Sequence, residues 1–337
     1  MTIAPDMNRT ELLAVKDLRV DFFIRKRAVH IVKDLSLRIK ADETVVVLGE
    51  SGSGKSVTSL AIMGLLGSSG AKITAGQMYF EGVDLLTLPP HERRKYRGKK
   101  IAMIFQDALS ALNPVQKVGK QIQEVIQEHS ELSRGDAYQR VLELMDRVRI
   151  PNPAQRYHDF PHQFSGGMRQ RIMIAMALAM DPVLLIADEP TTALDVTVQA
   201  QIMQLLVDLQ REHHMGLMLI THDLNVAAEV ADQIVVMYAG RVVESSPADA
   251  LYQAPAHPYT EGLLASTPTA QDKGRMLKSI PGTPPSPANT PSGCAFNPRC
   301  PRAREICRVE EPPLVSVPGG RTSACHFWEE VLLDVTK

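Results

Sequence analysis

The sequence lacks a long apolar run. Its longest, Ile172 to Met180, spans 9 residues, well short of the roughly 18 that a membrane-crossing helix requires. A leader pattern is also missing, because MTIAPDMNRT has neither an apolar core nor a basic flank. Excess charge of either sign is absent: 37 Lys and Arg stand against 38 Asp and Glu, so no bulk attraction to nucleic acid or to an anionic membrane is expected. Cysteine is nearly absent, and all four residues fall in the last 44. Together these absences predict a soluble cytosolic chain that reaches a membrane only if something else holds it there. What remains is ample: 337 residues, 44% of them hydrophobic, suffice for one full domain and a smaller second unit.

Residues 49 to 56 read GESGSGKS, a G-x-x-x-x-G-K-[ST] pattern. The β-branched run Thr44-Val45-Val46-Val47-Leu48 precedes it as a buried parallel strand would, and SVTSLAIMGLL follows with the apolar density of a buried helix. Gly49, Gly52 and Gly54 let the backbone turn tightly against a polyphosphate. The N–H groups of Glu50, Ser51, Ser53 and Val57, with the helix N-terminus, then form an anion nest. In this pattern Lys55 reaches the β- and γ-phosphates and the Ser56 hydroxyl ligates Mg²⁺. The sequence therefore predicts nucleoside triphosphate binding.

Residues 11–24 and 30–39 alternate as antiparallel strands around a basic turn, and either Phe22 or Phe23 is placed to stack on a base or to pack in the core. Residues 76–85 read as a hairpin turning at Glu81-Gly82. HERRKYRGKK (91–100) reads as a solvated basic face. Ile101 to Phe105 predicts a second buried strand with Gln106 at its C-terminal end, where parallel sheets collect ligands. Gln106 is a candidate for Mg²⁺ or for the attacking water. Residues 118–149 carry helical spacing and end at Pro151 and Pro153. Ser165, Gly166 and Gly167 stand before an apolar helix, as a second anion site or a simple N-cap. A third strand, 182–187, ends in Asp188-Glu189. Asp188 suits the Mg²⁺ shell, and Glu189 suits the general base for water attacking the γ-phosphate. Thr192-Ala193-Leu194-Asp195 opens an amphipathic helix. A fourth strand, 217–220, ends at Thr221-His222-Asp223, where His222 is a candidate γ-phosphate partner. Residues 234–238 add a further strand, and 239–246 close a hairpin.

These motifs occur in one order: the phosphate loop at 49–56, Gln106, SGG at 165–167, LLIADE at 184–189, ALD at 193–195 and His222. In that order the chain resembles the ATP-binding cassette family, the ATPases that drive membrane transporters, over residues 11 to about 265. The resemblance implies an α/β P-loop NTPase cassette with an antiparallel β subdomain and a helical subdomain at about 107–180. It also implies a head-to-tail dimer in which Ser165, Gly166 and Gly167 of one subunit cap the ATP held by the other. Phe22 aligns with the family's adenine-stacking aromatic, Asp195 falls in its ALD motif, and Gln106 with the helical insertion looks like the surface that signals to the permease.

FSGGMRQR, with Met168 where many cassettes carry Gln, and ADEPTTALDVTVQAQI narrow the resemblance to the dipeptide, oligopeptide and nickel uptake branch. IFQDALSALNP fits too, although Ala108 replaces the proline common there. HPYT (257–260) and IPGTPP (280–285) resemble that branch's C-terminal extension. The implied partners are a second, related ATPase subunit, two transmembrane permease subunits and an extracytoplasmic peptide-binding protein, with the chain peripheral on the cytoplasmic membrane face. Peptide is the expected substrate, nickel or a metal chelate the alternative. A soluble non-transport cassette is disfavoured by the single cassette and the lack of coiled-coil or zinc insertions.

The division is then 1–265 for the cassette and 266–337 for an extension rich in Pro, Gly, Ser and Arg, which cannot easily bury a core of its own. Cys294, Cys300, Cys307 and Cys325 are spaced C-x5-C-x6-C-x17-C. A cytosolic chain should not rely on disulfides, and zinc sites use closer C-x2-4-C pairs. Cys300-Pro301 and the wide spacing fit an iron–sulfur cluster better, with zinc and free thiols as alternatives. Members of the peptide-importer branch resemble this pattern. The expectation is a short metal-binding extension with a [4Fe-4S] cluster.

Overall fold

The computed structural model describes residues 10–24, 27–68, 70–192, 194–267 and 279–335. Among them are twelve strands: β1 Glu11–Ile24, β2 Arg27–Lys40, β3 Thr44–Leu48, β4 Ala71–Phe80, β5 Val83–Asp84, β6 Ile101–Ile104, β7 Leu184–Asp188, β8 Gly216–Ile220, β9 Gln233–Tyr238, β10 Arg241–Pro247, β11 Val315–Val317 and β12 Arg321–Ser323. The fold separates into two compact units. Of the described residues, one comprises those within 85–220 with 10–12 and 39–42; the other comprises those within 13–38, 43–84, 221–267 and 279–335.

In the first unit β6, β7 and β8 run parallel, with Ile101 opposite Leu184 and Leu184 opposite Gly216. Every residue of the three strands is buried, which is why they read as unbroken apolar runs rather than alternating ones. The helices Val118–His129, Arg134–Arg147 and Gly166–Ala177 pack together. Ile122 and Ile126, and Val141 and Leu144, are buried at the 3.6-residue repeat of one helix face, whereas Gly166–Ala177 buries a nearly continuous run from Gln170 to Ala175. The basic run begins with the short helix Pro90–Arg94, which buries none of its residues, as a solvated face should.

The second unit holds two sheets. One is antiparallel, ordered β2-β1-β4-β5, and its last hairpin turns on Glu81 (φ 47°) and Gly82 (φ 81°), the two left-handed positions of a type I′ turn. The other runs β11-β12-β10-β9-β3. β3 and β9 are parallel, with Val46 opposite Ile234. β9 and β10 join through Ala239 and Gly240, again both left-handed at 49° and 86°.

The C-terminal residues do not stand apart. β12 pairs with β10 through Glu244 opposite Ser323, and β11 pairs with β12. Phe296 is 2% exposed and sits 5.3 Å from the rings of both Tyr238 and Tyr259. The extension thus orders itself on a core it shares with 221–267 and with β3. Among the described residues no helix is long and apolar enough to cross a membrane.

Candidate functional site

In the second unit, β3 delivers the chain into the loop 49–54, which opens the helix Lys55–Met63. A Cβ on Gly49 would lie 2.3 Å from the carbonyl oxygen of Met237, and one on Gly54 would lie 3.0 Å from that of Ile31. Both glycines hold positive φ, so the loop is closed against neighbouring backbone and admits no side chain at either point. The Ser53 backbone bridges two partners: its N–H donates to Glu50 O at 3.2 Å and its carbonyl accepts the Gly240 N–H at 3.0 Å.

Lys55 is buried, and its ammonium donates to the carbonyls of Gly49 (2.7 Å) and Glu50 (3.1 Å). Ser53 is also buried, yet its hydroxyl has no hydrogen-bond partner among the described residues. A buried orphan hydroxyl costs free energy unless a ligand meets it. Beside a lysine and a run of loop N–H groups, the fitting ligand is a polyphosphate. Gly52 adds a left-handed turn at φ 80°. Ser51 is exposed, while Ser56 and Val57 occupy the helix's first turn and are half-buried.

Glu50 is held at both ends. Its N–H donates to the Tyr259 hydroxyl at 2.9 Å. Its carboxylate accepts two hydrogen bonds from the Arg299 guanidinium, at 2.6 and 2.9 Å. Arg299 and Tyr259 are absent from the sequence-based candidates. Tyr259 lies inside HPYT, and Arg299 is masked by its Cys- and Pro-rich surroundings.

Phe22, opposite Ala71 in the β1–β4 pair, is half-buried, whereas Phe23 is 48% exposed with the Lys72 ammonium 6.0 Å from its ring. His222 is exposed at the end of its strand. Thr221 before it donates its N–H to Val47 O at 3.3 Å, and Asp223 after it caps the helix Leu224–Val230.

In the first unit Asp188 ends β7 at 4% exposure. Glu189 follows in left-handed conformation (φ 45°), its N–H donating to Ile220 O at 2.9 Å. For a residue other than glycine this is strained, and such strain collects at functional positions. The Glu189 carboxylate accepts hydrogen bonds from Gln106 Nε2 (2.9 Å) and from the Thr192 hydroxyl (3.0 Å). Gln106 and Glu189 therefore meet as neighbours, and Thr192 joins them unforeseen.

The Ser165 hydroxyl accepts the Met168 N–H at 3.4 Å as the N-cap of Gly166–Ala177. A Cβ on Gly167 would lie 2.6 Å from Val198 Cγ1, and one on Gly166 would lie 3.3 Å from Leu194 Cδ2. The glycine pair thus makes room for the following helix as well as baring N–H groups. Asp195 caps that helix, accepting the Val198 N–H at 3.0 Å. Ala193 lies outside the described residues.

Cys294, Cys300, Cys307 and Cys325 line one small cavity with Phe296, His257 and Phe327, and none forms a disulfide. Burial pushes the Cys294 thiol up to about 11 and that of Cys325 up to about 12, and it raises Cys300 as well. Backbone N–H groups oppose this: those of Phe296 and Asn297 at Cys294, Arg302 at Cys300 and Phe327 at Cys325. The expected metal site is not formed as such. Among the described residues no group of three or more His, Cys, Asp or Glu is placed to hold a metal ion.

Comparison with known proteins bears on both parts. The family profile described as ABC transporter matches residues 32–192, and that described as oligopeptide/dipeptide transporter, C-terminal region, matches 243–307. The dipeptide transport ATP-binding protein DppD of Escherichia coli is 51% identical over 94% of this chain and 96% of its own length. The oligopeptide transport ATP-binding protein AppD of Bacillus subtilis is 47% identical over 95% and 97%. Among solved structures, a dimeric post-hydrolysis state of the ATP-binding cassette MJ0796 bound to ADP and phosphate is similar. Its TM-score is 0.64 and its identity 29%, with 70% of this chain and 99% of that one covered.

Proposed function

Because the chain belongs to the ABC transporter family and has its cassette fold, we propose that this ATPase powers import of di- or oligopeptides through a membrane permease. One observation carries the substrate class: the likeness to peptide transport ATPases runs nearly end to end and includes the C-terminal region at 243–307. The partners in this reading are a related second ATPase subunit, two permease subunits that hold the chain at the cytoplasmic membrane face, and an extracytoplasmic peptide-binding protein.

In the proposed mechanism the loop N–H groups from Gly49 to Val57 and the Lys55 ammonium hold the phosphates, and Phe22 stacks on the adenine. Ser56, Asp188 and Gln106 would hold Mg²⁺, which when bound offsets charge on the phosphates. Glu189 accepts a proton from the attacking water, oriented by its bonds from Gln106 and Thr192. His222 positions the γ-phosphate. Ser165, Gly166 and Gly167 cap the nucleotide of the partner subunit, with Asp195 fixing the helix that packs beside them. The domain reading is a cassette at 1–265, with its helical subdomain at about 107–180, and an extension at 266–337. The test is uptake in a deletion strain. Wild-type chain should restore di- and oligopeptide uptake and Lys55→Ala should not; restored nickel uptake with peptide uptake unchanged would overturn the peptide assignment.

The four cysteines fit a [4Fe-4S] cluster as the finer reading. All four line one cavity, and Cys294, Cys300 and Cys325 have backbone N–H groups at sulfur, donors of the kind that hydrogen-bond cluster thiolates. Their spread suits a polynuclear cluster better than one zinc ion. When bound, the cluster supplies cross-links between residues 294 and 325. Iron and acid-labile sulfide in anaerobically purified protein, with Cys300→Ser as control, decide it. Four of each per chain, falling in the variant, support the cluster; zinc or no metal overturns it.

A further inference from the structure

We propose that Arg299 is a positioning residue for nucleotide binding: it neutralises and fixes Glu50, the one acidic side chain of the phosphate loop, and so lets that loop accept a polyphosphate. The inference rests on the reading of residues 49–56 as the ATP-binding loop and goes beyond it, since the controlling side chain lies 249 residues away.

The Glu50 carboxylate sits in a loop built to attract an anion. Left bare there, it would oppose a polyanion at short range and in reduced dielectric. Its side chain is only 27% exposed, and the Arg299 side chain 6%, so solvent screens the pair weakly. The two parallel hydrogen bonds at 2.6 and 2.9 Å are the bidentate geometry that an arginine supplies and a lysine does not.

Arg299 is itself held from three further directions. Its Nε donates to Pro281 O at 2.8 Å, its Nη1 reaches the Tyr238 hydroxyl at 3.3 Å, and its backbone N–H donates to Phe296 O at 2.9 Å. With Tyr259 binding the Glu50 N–H, both the backbone and the side chain of this loop residue are set by residues outside the 32–192 cassette match. An arginine that merely docked the extension could do so through Pro281 and Tyr238 alone. The bidentate grip adds charge cancellation at the phosphate loop.

Isothermal titration of the full chain with Mg-ATP, Mg-ADP and adenosine reads this directly. Arg299→Gln should weaken Mg-ATP binding by about tenfold, Mg-ADP less, and adenosine hardly at all, because the penalty scales with ligand charge. In steady state KM for ATP should rise with kcat little changed. Adding Glu50→Gln to Arg299→Gln removes the uncompensated charge and should restore most of the lost affinity, and Arg299→Lys should lie between. Wild-type affinity in Arg299→Gln, equal losses for all three ligands, or a double variant no better than the single one would overturn the proposal. Failure of the unsubstituted chain to bind Mg-ATP would instead overturn the ATPase reading beneath it.

Discussion

Glu244 offers a quantitative test of the packing between β10 and the residues after it. It is fully buried opposite Ser323. One carboxylate oxygen accepts the Ala256 N–H at 2.8 Å, and the Thr260 side chain and the His257 backbone adjoin the carboxylate as weaker partners. Burial pushes its carboxyl up from 4.5 to about 7, despite the opposing pull of Thr260, the Ala256 N–H and Arg321. A folded-state value above the unfolded one means that the folded chain holds this proton more tightly. The stability it contributes is therefore complete below pH 4.5 and is lost as pH rises through about 7. That gap, at about 1.4 kcal/mol for each pH unit, corresponds to about 3.5 kcal/mol when both states are fully ionised. Glu244→Gln keeps an acceptor for Ala256 and replaces the ionisable carboxyl by an uncharged amide of nearly the same shape. The variant should exceed wild type by less than about 1 kcal/mol near pH 5 and by about 3 kcal/mol at pH 8. Urea denaturation of both proteins at intervals from pH 5 to 8 measures the difference. His257, whose ring is fully buried and depressed to about 3, titrates alike in both and cancels. A pH-independent difference, or a variant less stable at pH 8, would refute the assignment of a strained buried carboxylate.

Three further outcomes bear on the nucleotide site. Glu189→Gln should keep ATP binding but lower turnover by about 10² to 10⁴-fold and accumulate an ATP-bound dimer by size-exclusion chromatography; normal turnover removes Glu189 from the base role. Phe22→Ala should weaken ATP binding by about fivefold, in line with the loss of one stacked ring, whereas Phe23→Ala should leave it unchanged; the reverse result moves the stacking residue by one. Gly49→Ala drives a methyl to within 2.3 Å of the Met237 carbonyl, so it should lose both nucleotide binding and thermal stability, and an unperturbed melting curve would argue against so tight a loop.

The parts of this fold that were legible are those with a local signal. The unbroken runs at 44–48, 101–105 and 182–187 mark strands buried on both faces, which the fold places at Thr44–Leu48, Ile101–Ile104 and Leu184–Asp188. Glu81-Gly82 marks a turn that needs two left-handed residues, and the apolar spacing of 118–147 marks two helices. The phosphate loop was legible because strand, glycines, lysine and helix fall within a few residues. What escaped is long-range. Nothing local in the short runs at 315–317 and 321–323 tells that they extend the edge of β10. Thr192 carries no mark of its bond to Glu189, and Gly167 reads as a bare helix start although Val198 also requires it. The Arg299–Glu50 pair is the extreme case, since each residue has an ordinary local reading and only the fold joins them.

Composition assigns the residues beyond 266 to a segment too poor in apolar periodicity to order itself, and the structure shows how it escapes that limit. It adds β12 and β11 to an existing sheet edge, and it seats Phe296 against Tyr238 and Tyr259, rings that already pack 4.7 Å apart. Cross-linking at the four cysteines is then not what gives these residues a core. The same packing carries Arg299 to Glu50, so removal of the extension would do more than shorten the chain. It would strip β10 of its neighbour, uncover two buried tyrosines and leave an uncompensated carboxylate in the phosphate loop. The cassette match at 32–192 contains most of the groups that touch nucleotide in the proposed mechanism, Phe22 and His222 lying outside it, but the environment that makes Glu50 compatible with a polyphosphate comes from residues 238, 259 and 299. In this chain the phosphate loop is complete only when the C-terminal region is folded onto it.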